Sequence, residues 1–212
     1  MIKKLFGTFL LSVGLLAGAS AALAAPVKGK DYSVLSTAQP VSVPAGKIEV
    51  TEFFWYGCPH CAEFEPKLEA WLKKQNADVV FKRVPVAFND QFKPHSLMYH
   101  ALDVMGIEPT LTEKIFNEIH VKRDYLLTPQ SQAAFLSKNG VDQKKYLDTY
   151  NSFGVQSAVT RDARMMKDYG VDGVPTLFVQ GKYQTSPAQT NSLDGTLQTL
   201  DFLIQQVREK KM

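Results

Sequence analysis

Hydrophobic and polar positions along residues 47–84 are arranged in a way that predicts a strand, a helix and a second strand. Residues 47–55 are rich in β-branched and aromatic side chains, as is typical of a buried strand. After a turn, apolar side chains recur at the spacing of an amphipathic helix; they are Phe64, Leu68, Trp71 and Leu72. Residues 78–84 again have the composition of a strand. This order predicts a βαβ unit with parallel strands and a right-handed crossover.

The chain then changes character, because residues 93–169 show helical periodicity and lack strand signals. Glycine, proline and similar breakers divide this stretch into predicted helices near residues 95–105, 111–121, 129–139, 142–151 and 155–169. Strand composition returns at residues 176–179, and Gly181-Lys182 fits a hairpin turn into residues 183–185. Leucine-rich periodicity over residues 192–210 predicts a terminal helix. We therefore predict an α/β layer interrupted by a helical insertion.

Residues 1–24 have the three parts of a secretory signal peptide. These parts are a basic start at Lys3 and Lys4, an apolar run over residues 5–16, and the cleavage site Ala22-Leu23-Ala24 before Ala25. A transmembrane anchor is the alternative, but the apolar run is too short to cross about 30 Å of hydrocarbon. We therefore predict that the chain is exported and that the mature protein begins at Ala25.

Composition and charge narrow the class of protein. Of the 212 residues, 24 are basic and 21 are acidic, which gives a formal net charge of +3. A nucleic-acid-binding protein normally carries a concentrated basic face, so this balance argues against one. Two cysteines are too few for a disulfide-stapled scaffold. The length and the 45% hydrophobic content indicate a globular protein of one domain, with or without an insertion.

The two cysteines, Cys58 and Cys61, are separated only by Pro59 and His60. A disulfide across so short a loop removes little entropy from the unfolded chain, so reactivity explains the pair better than stabilisation does. The motif coincides with the first turn of the predicted helix, where free N–H groups and the helix dipole favour a thiolate. We expect Cys58 to be the nucleophile, Cys61 to be the resolving thiol, and His60 to add a positive or donating group. Pro59 suits a first helical turn, because its missing N–H would have no partner there.

A stabilised Cys58 thiolate favours the reduced form of the pair, so the disulfide form becomes a stronger oxidant. The motif is therefore predicted to pass its disulfide to other proteins. Glu63 and Glu65 would oppose the thiolate if they crowded the sulfur, and we expect both side chains to point outward.

Residues 53–61, Phe-Phe-Trp-Tyr-Gly-Cys-Pro-His-Cys, followed by Gly-Val-Pro-Thr at residues 173–176, resemble the DsbA family of periplasmic dithiol oxidases. The resemblance covers about residues 31–211 and implies a thioredoxin fold with an inserted helical domain. The implied division is a thioredoxin-like domain in two parts, residues 25–92 and 170–212, with the inserted helical domain at residues 93–169.

The resemblance also implies roles for residues outside the cysteine motif. Val174-Pro175 is similar to the family's cis-proline loop, which helps to hold the backbone of a substrate peptide. Glu52 is similar to the buried acid that handles the proton of the resolving thiol, a role that needs a pKa raised by burial. Arg83 or Lys82 would pair with it; strand alternation lets only one point the same way, and we favour Arg83. A surface position for Glu52 at the strand edge is the alternative.

The resemblance implies that the protein is an enzyme. It would be a periplasmic thiol:disulfide oxidoreductase that donates the Cys58–Cys61 disulfide to newly exported proteins through a mixed disulfide. That disulfide would be its redox group, with no separate cofactor and no metal. The implied partners are reduced or unfolded exported proteins and a DsbB-type membrane quinone reductase that reoxidises the pair. We expect a monomer without nucleic-acid partners.

Two alternatives stay open. A Cys-x-x-Cys pair can form half of a zinc site, with His95, His100 and His120 as further ligands, or by itself the soft-metal site of a metallochaperone. Partly buried or surface positions explain these histidines more simply. A disulfide isomerase or reductase is the nearer alternative, but known exported isomerases carry an added dimerisation domain, and only residues 25–46 precede the first predicted strand of the mature chain.

Overall fold

The two strands predicted on either side of the cysteine helix lie next to each other in a mixed sheet. The structure is a computed structural model that describes residues 24–211, so the predicted signal peptide lies outside the described residues, apart from Ala24. Within the described residues the strands are β1 (Ser33–Val34), β2 (Ile48–Phe54), β3 (Val79–Pro85), β4 (Thr176–Val179) and β5 (Tyr183–Thr185). Their order in the sheet is β1-β5-β4-β2-β3, and only β2 and β3 run parallel. The predicted parallel βαβ unit is confirmed.

Helix α1 (Pro59–Leu72) connects β2 to β3, and the helical insertion follows β3. After a short 3-10 turn at Asp90–Phe92, the insertion consists of α2 (Lys93–Val104), α3 (Glu108–His120), α4 (Pro129–Lys138), α5 (Gln143–Tyr150) and α6 (Phe153–Asp168). The chain then returns to the sheet and ends with α7 (Pro187–Thr190) and α8 (Leu193–Arg208). No helix within residues 24–211 is long and apolar enough to cross a membrane.

These elements agree with the predicted ones to within a few residues, but the 3-10 turn and two other very short elements were not predicted. Strand β1 has two residues and helix α7 has four, so neither contains a full period of its own pattern. The predicted hairpin turn is confirmed, since β4 and β5 pair antiparallel across it. Gly181 there has a φ of +60°, a backbone conformation that glycine adopts without steric cost.

Three groups of buried side chains pack around β2, an interior strand of the sheet. All seven residues of β2 are buried, because helices cover one face of the sheet and the insertion covers part of the other. On one face, α1 and α8 pack against the sheet through residues that include Phe64, Leu68 and Leu203. The core of the insertion extends to Phe54, Tyr56, Cys58 and Cys61. The cysteine motif therefore lies where the insertion meets the sheet.

Candidate active site

Cys58 is the residue immediately before α1, with the extended backbone (φ −83°, ψ 118°) of a helix N-cap. Its N–H donates to the carbonyl of Trp55 at 2.9 Å, which closes the turn between β2 and the helix. Pro59 and His60 are exposed in the first helical turn. Cys58 is 7% exposed and Cys61 is 2% exposed, so the first sulfur is the more accessible of the two. Both are free thiols.

The two thiols have opposite acidities. A hydrogen bond from the Cys61 thiol, backbone N–H groups of Cys61 and His60, and the charge of His60 lower the pKa of Cys58 to about 6, against the effect of its burial. Burial raises the pKa of Cys61 well above that of an ordinary thiol, and its interactions with Cys58 raise it further. One sulfur is therefore a thiolate at neutral pH while its partner keeps its proton.

The loop before β4 lies next to the cysteines in space, although it is distant from them in the sequence. The Val174–Pro175 peptide bond is cis, and the carbonyl oxygen of Val174 lies 3.4 Å from Sγ of Cys58. The Thr176 hydroxyl donates to the carbonyl of Gly173 at 2.7 Å, which ties the loop together. A cavity of about 310 Å³ lies beside this loop; its lining includes His60, Asp172, Val174, Pro175, Ser186 and Pro187. Val174-Pro175 and the cysteine motif are thus neighbours in space.

Glu52 is buried in β2, only 2% exposed, so the alternative of a surface position is wrong. Arg83 lies opposite it in the register of β3 and donates from Nε to Oε2 of Glu52 at 3.1 Å. Lys82 points to the other face of the strand and pairs with Glu49. Burial raises the pKa of Glu52 to about 7, although the Arg83 guanidinium partly offsets this effect.

Glu63 is exposed, as expected, but the prediction that Glu65 points outward is wrong. Glu65 is only 5% exposed, and Nη2 of Arg83 donates to its two carboxyl oxygens at 2.7 and 2.8 Å. Since Glu65 lies four residues after Cys61 on the same helix, it shares the inward face of α1. Apolar residues on this face of the helix, such as Leu68, indicate in the sequence that position 65 points inward. The sequence prediction was wrong because an acidic side chain is normally expected at the surface. Burial raises the pKa of Glu65 to about 8.

Arg83 is the centre of a buried ionic cluster that sequence reasoning found only in part. Besides Glu52 and Glu65, the guanidinium bonds to Glu69 at 3.1 Å and lies 4.0 Å from Oε1 of Glu108. Glu108 also accepts a hydrogen bond from the Tyr56 hydroxyl at 3.0 Å. Glu108 lies in the insertion, and no local pattern in the sequence connects it with β3. The cluster therefore joins β2, β3, α1 and α3.

The three histidines considered as metal ligands lie in separate environments. His95 is fully buried, not partly buried or at the surface as expected; its ring nitrogens bond to the Trp55 indole and to the carbonyl of Tyr125, both at 2.8 Å. His100 pairs with Asp162. Nε2 of His120 lies 2.8 Å from the carbonyl oxygen of Tyr56. Within residues 24–211, no group of three or more His, Cys, Asp or Glu side chains is arranged to hold a metal ion.

Comparison with known proteins places this geometry in a family. Residues 49–198 match the family described as "DSBA-like thioredoxin domain". The "Thiol:disulfide interchange protein DsbA" of Burkholderia cepacia is 59% identical over 212 residues, which is 100% of both chains. The protein of the same name from Pseudomonas aeruginosa is 40% identical over 207 residues, or 98% of each chain.

Solved structures give the same result. The crystal structure of Pseudomonas aeruginosa DsbA has a TM-score of 0.83 with this chain at 41% identity, covering 88% of this chain and 96% of that one. The oxidoreductase DsbA from Xylella fastidiosa has a TM-score of 0.80 at 33% identity, covering 87% of this chain and 98% of that one. The predicted thioredoxin fold with a helical insertion is therefore confirmed, and the chain belongs to the DsbA family of thiol:disulfide interchange proteins.

Proposed function

We propose that this thiol:disulfide oxidoreductase acts as a dithiol oxidase that donates the Cys58–Cys61 disulfide to newly exported proteins. The observation that carries the proposal is the difference in acidity within the pair. The pKa of Cys58 is lowered to about 6, whereas that of Cys61 is raised well above the ordinary value. A thiolate that is stable in the reduced protein makes the reduced form favourable, and the disulfide form is correspondingly oxidising.

In the first step, a thiolate of the reduced substrate attacks Sγ of Cys58 in the oxidised protein. The Cys58–Cys61 bond breaks, a mixed disulfide forms between Cys58 and the substrate, and Cys61 leaves with the electron pair. Cys58 is the sulfur to be attacked because it is the more exposed of the two and lies beside the Val174 carbonyl at the surface of the loop.

In the second step, another thiolate of the substrate attacks the substrate sulfur of the mixed disulfide. The substrate disulfide forms, and Cys58 leaves as a thiolate. Leaving-group thiols of low pKa depart faster, so the lowered pKa of Cys58 accelerates this release. Two electrons have then passed from the substrate dithiol to the Cys58–Cys61 pair.

Glu52 is proposed to supply the proton that Cys61 takes up when it leaves. Its pKa of about 7 allows it to hold a proton near neutral pH and to release it without a large energetic cost. The charge of Glu52 is among the causes that raise the pKa of Cys61, so the two groups interact. Arg83 is proposed to hold the Glu52 carboxyl in place through its hydrogen bond. His60 and Pro59 act at the other sulfur, His60 through its charge and Pro59 as the first residue of the helix that follows Cys58.

Val174 and Pro175 are proposed to bind the substrate main chain next to the reacting sulfur. The support is the short distance between Sγ of Cys58 and the Val174 carbonyl, together with the cavity of about 310 Å³ beside the loop. An extended peptide that places its cysteine at Cys58 would lie along this loop and extend into the cavity.

The remaining parts of the proposal concern location and partners. We propose that residues 1–24 direct export to the periplasm and are removed, and that the mature protein acts there as a monomer. Its partners would be reduced or unfolded exported proteins and a DsbB-type membrane quinone reductase, without nucleic acid. The disulfide would be its redox group, with no metal or other cofactor. The proposed domains are residues 25–92 with 170–212, and the insert of residues 93–169; the run of helices between β3 and β4 supports this division.

Oxidation of a reduced, unfolded protein substrate by the oxidised mature chain tests the proposal. We expect stoichiometric disulfide formation in the substrate and catalytic turnover when an oxidant regenerates the pair. Cys58→Ser should abolish both, while Cys61→Ser, reacted with a substrate already carrying a disulfide, should trap a mixed disulfide at Cys58. Retained oxidation by Cys58→Ser would overturn the mechanism. Reduction or shuffling of substrate disulfides without net oxidation would overturn the assignment as an oxidase.

A further inference from the structure

Trp55 and Tyr56, which lie shortly before Cys58, make three polar contacts with the helical insertion. The Trp55 indole N–H donates to Nδ1 of His95 at 2.8 Å, and the Tyr56 hydroxyl donates to Glu108 at 3.0 Å. The third contact differs from these because it reaches the main chain: Nε2 of His120 lies 2.8 Å from the carbonyl oxygen of Tyr56. A carbonyl only accepts, so Nε2 carries a proton and donates.

The turn that these contacts hold has little freedom of its own. The Trp55 indole lies over Gly57, and a Cβ atom added to Gly57 would fall 2.3 Å from the indole ring. The Cys58 N–H bonds to the Trp55 carbonyl at 2.9 Å. The plane of the peptide between Tyr56 and Gly57 therefore determines how the chain enters α1. That entry angle sets the position of Sγ of Cys58 relative to the N–H groups of His60 and Cys61.

We propose that His120 is a positioning residue for Cys58, acting through its hydrogen bond to the carbonyl of Tyr56. His120 is half-buried and lines a small cavity of about 190 Å³ between α1 and α3, together with Ala62, the residue after Cys61. The surface exposed in that cavity is mostly apolar, although Glu113 and Asn117 also line it. By fixing the Tyr56 carbonyl, His120 keeps the amides at the start of α1 directed at the Cys58 thiolate.

The inference rests on the proposed function only in that both concern the same cysteine, and its test does not use oxidase activity. The matched variants are His120→Gln and His120→Asn. The Gln amide nitrogen reaches about as far as Nε2 of histidine and can donate to the Tyr56 carbonyl, whereas the Asn amide is too short. Both are neutral and polar, so they differ chiefly in this bond. His100→Asn is the control, because His100 is also a largely buried histidine of the insertion but bonds to Asp162.

Two measurements on the full mature chain are decisive: titration of the Cys58 thiolate by its ultraviolet absorbance, and the equilibrium constant with glutathione. We expect His120→Asn to make the protein less oxidising by on the order of threefold to tenfold, with a matching rise in the Cys58 pKa of up to about one unit. His120→Gln should stay within about twofold of the wild type. His100→Asn should leave both quantities unchanged, even if it unfolds more easily.

The outcomes separate a positioning role from a purely structural one. If His120→Asn titrates and equilibrates like the wild type, the proposal is overturned, whatever its stability. Equal changes in His120→Asn and His120→Gln, or an equal change in His100→Asn, would also overturn it, since the effect would not depend on the bond to Tyr56. If the wild type fails to oxidise substrates while the Asn–Gln difference persists, the proposed function fails and the role of His120 stands.

Discussion

Nη2 of Arg83 lies 2.7 and 2.8 Å from the two carboxyl oxygens of Glu65, and this contact ties the helix that carries the cysteines to β3. The same guanidinium bonds through Nε to Glu52 at 3.1 Å. One cation therefore pairs with two buried carboxyl groups, Glu52 on β2 and Glu65 on α1. Burial raises the pKa of both carboxyl groups, and the nearby Arg83 guanidinium partly offsets this effect in each.

Loss of this cation should be far more damaging than loss of one acid. We expect Arg83→Met to lower the free energy of unfolding by about 3 to 5 kcal/mol, because it leaves buried carboxyl groups without a cation. Glu65→Gln should cost less, about 1 to 2 kcal/mol at pH 7, because the neutral amide keeps one acceptor oxygen for Nη2 of Arg83 and loses the other. Urea unfolding of the two variants at pH 7 measures the difference. Similar losses in both would contradict the cluster as described.

The acidity of Cys58 predicts a titration in the reduced protein. We expect the ultraviolet absorbance of a thiolate to appear with a midpoint near pH 6 and to be absent in Cys58→Ser. Cys61 should not ionise in this range, because burial raises its pKa well above the ordinary value. A midpoint near pH 8.5, as in a free cysteine, would contradict the proposed stabilisation.

The same lowered pKa gives the sign of a pH-dependent stability. A group whose pKa falls on folding stabilises the native state above its unfolded pKa, and this contribution disappears as the pH falls through the folded value. Reduced wild type and Cys58→Ser should therefore differ little at pH 5, whereas at pH 8 the wild type should be more stable by about 2 to 3 kcal/mol. Denaturant unfolding of both proteins at the two pH values, under reducing conditions, provides the comparison.

Glu52 should appear in the pH profile of the step in which Cys61 takes up a proton. Its pKa of about 7 predicts that formation of the mixed disulfide slows as the pH rises through 7, because ionised Glu52 has no proton to give. Glu52→Gln should be slow at every pH and lack this inflection, once the ionisation of the substrate thiol is divided out. Stopped-flow kinetics with a small dithiol measures it.

Glu49→Gln is the control for that experiment, since Glu49 is a buried acid of the same strand that pairs with Lys82 on the other face. The free energy of unfolding of Glu52→Gln distinguishes a role of Glu52 in proton transfer from a role in folding. A carboxyl whose pKa is raised on folding stabilises the native state below its unfolded pKa and loses that contribution as the pH rises through 7. Glu52→Gln should therefore be at least as stable as the wild type at pH 8. An inflection near pH 7 that survives in Glu52→Gln would exclude the proposed role.

His60 should contribute modestly to the oxidising power. Its charge lowers the pKa of Cys58, but the hydrogen bonds from Cys61 and from the backbone come before it in size, and they survive substitution. His60→Ala is expected to make the protein less oxidising by less than about tenfold in its equilibrium with glutathione, which corresponds to less than one pKa unit. An unchanged equilibrium constant would show that the imidazole has no electrostatic effect on the thiolate.

The residue pattern predicted the cysteine motif, its place at the start of a helix, and the helical insertion. These features depend on neighbours within one or two turns of the chain, where periodicity and helix-end chemistry operate. Strand alternation likewise predicted that only one of the two candidates, Arg83 and Lys82, could pair with Glu52, because residues that are adjacent in β3 face opposite sides of the sheet.

Tertiary packing alone decided which charged and polar groups surround the pair. Glu65 points inward because Arg83, on the neighbouring strand, donates hydrogen bonds to its carboxyl group. Without such a partner an acidic side chain is expected at the surface. Tyr56 reaches Glu108 across 52 residues and His120 across 64. Contacts of such separation leave no periodic trace in either segment, since each depends on how the insertion packs against the sheet.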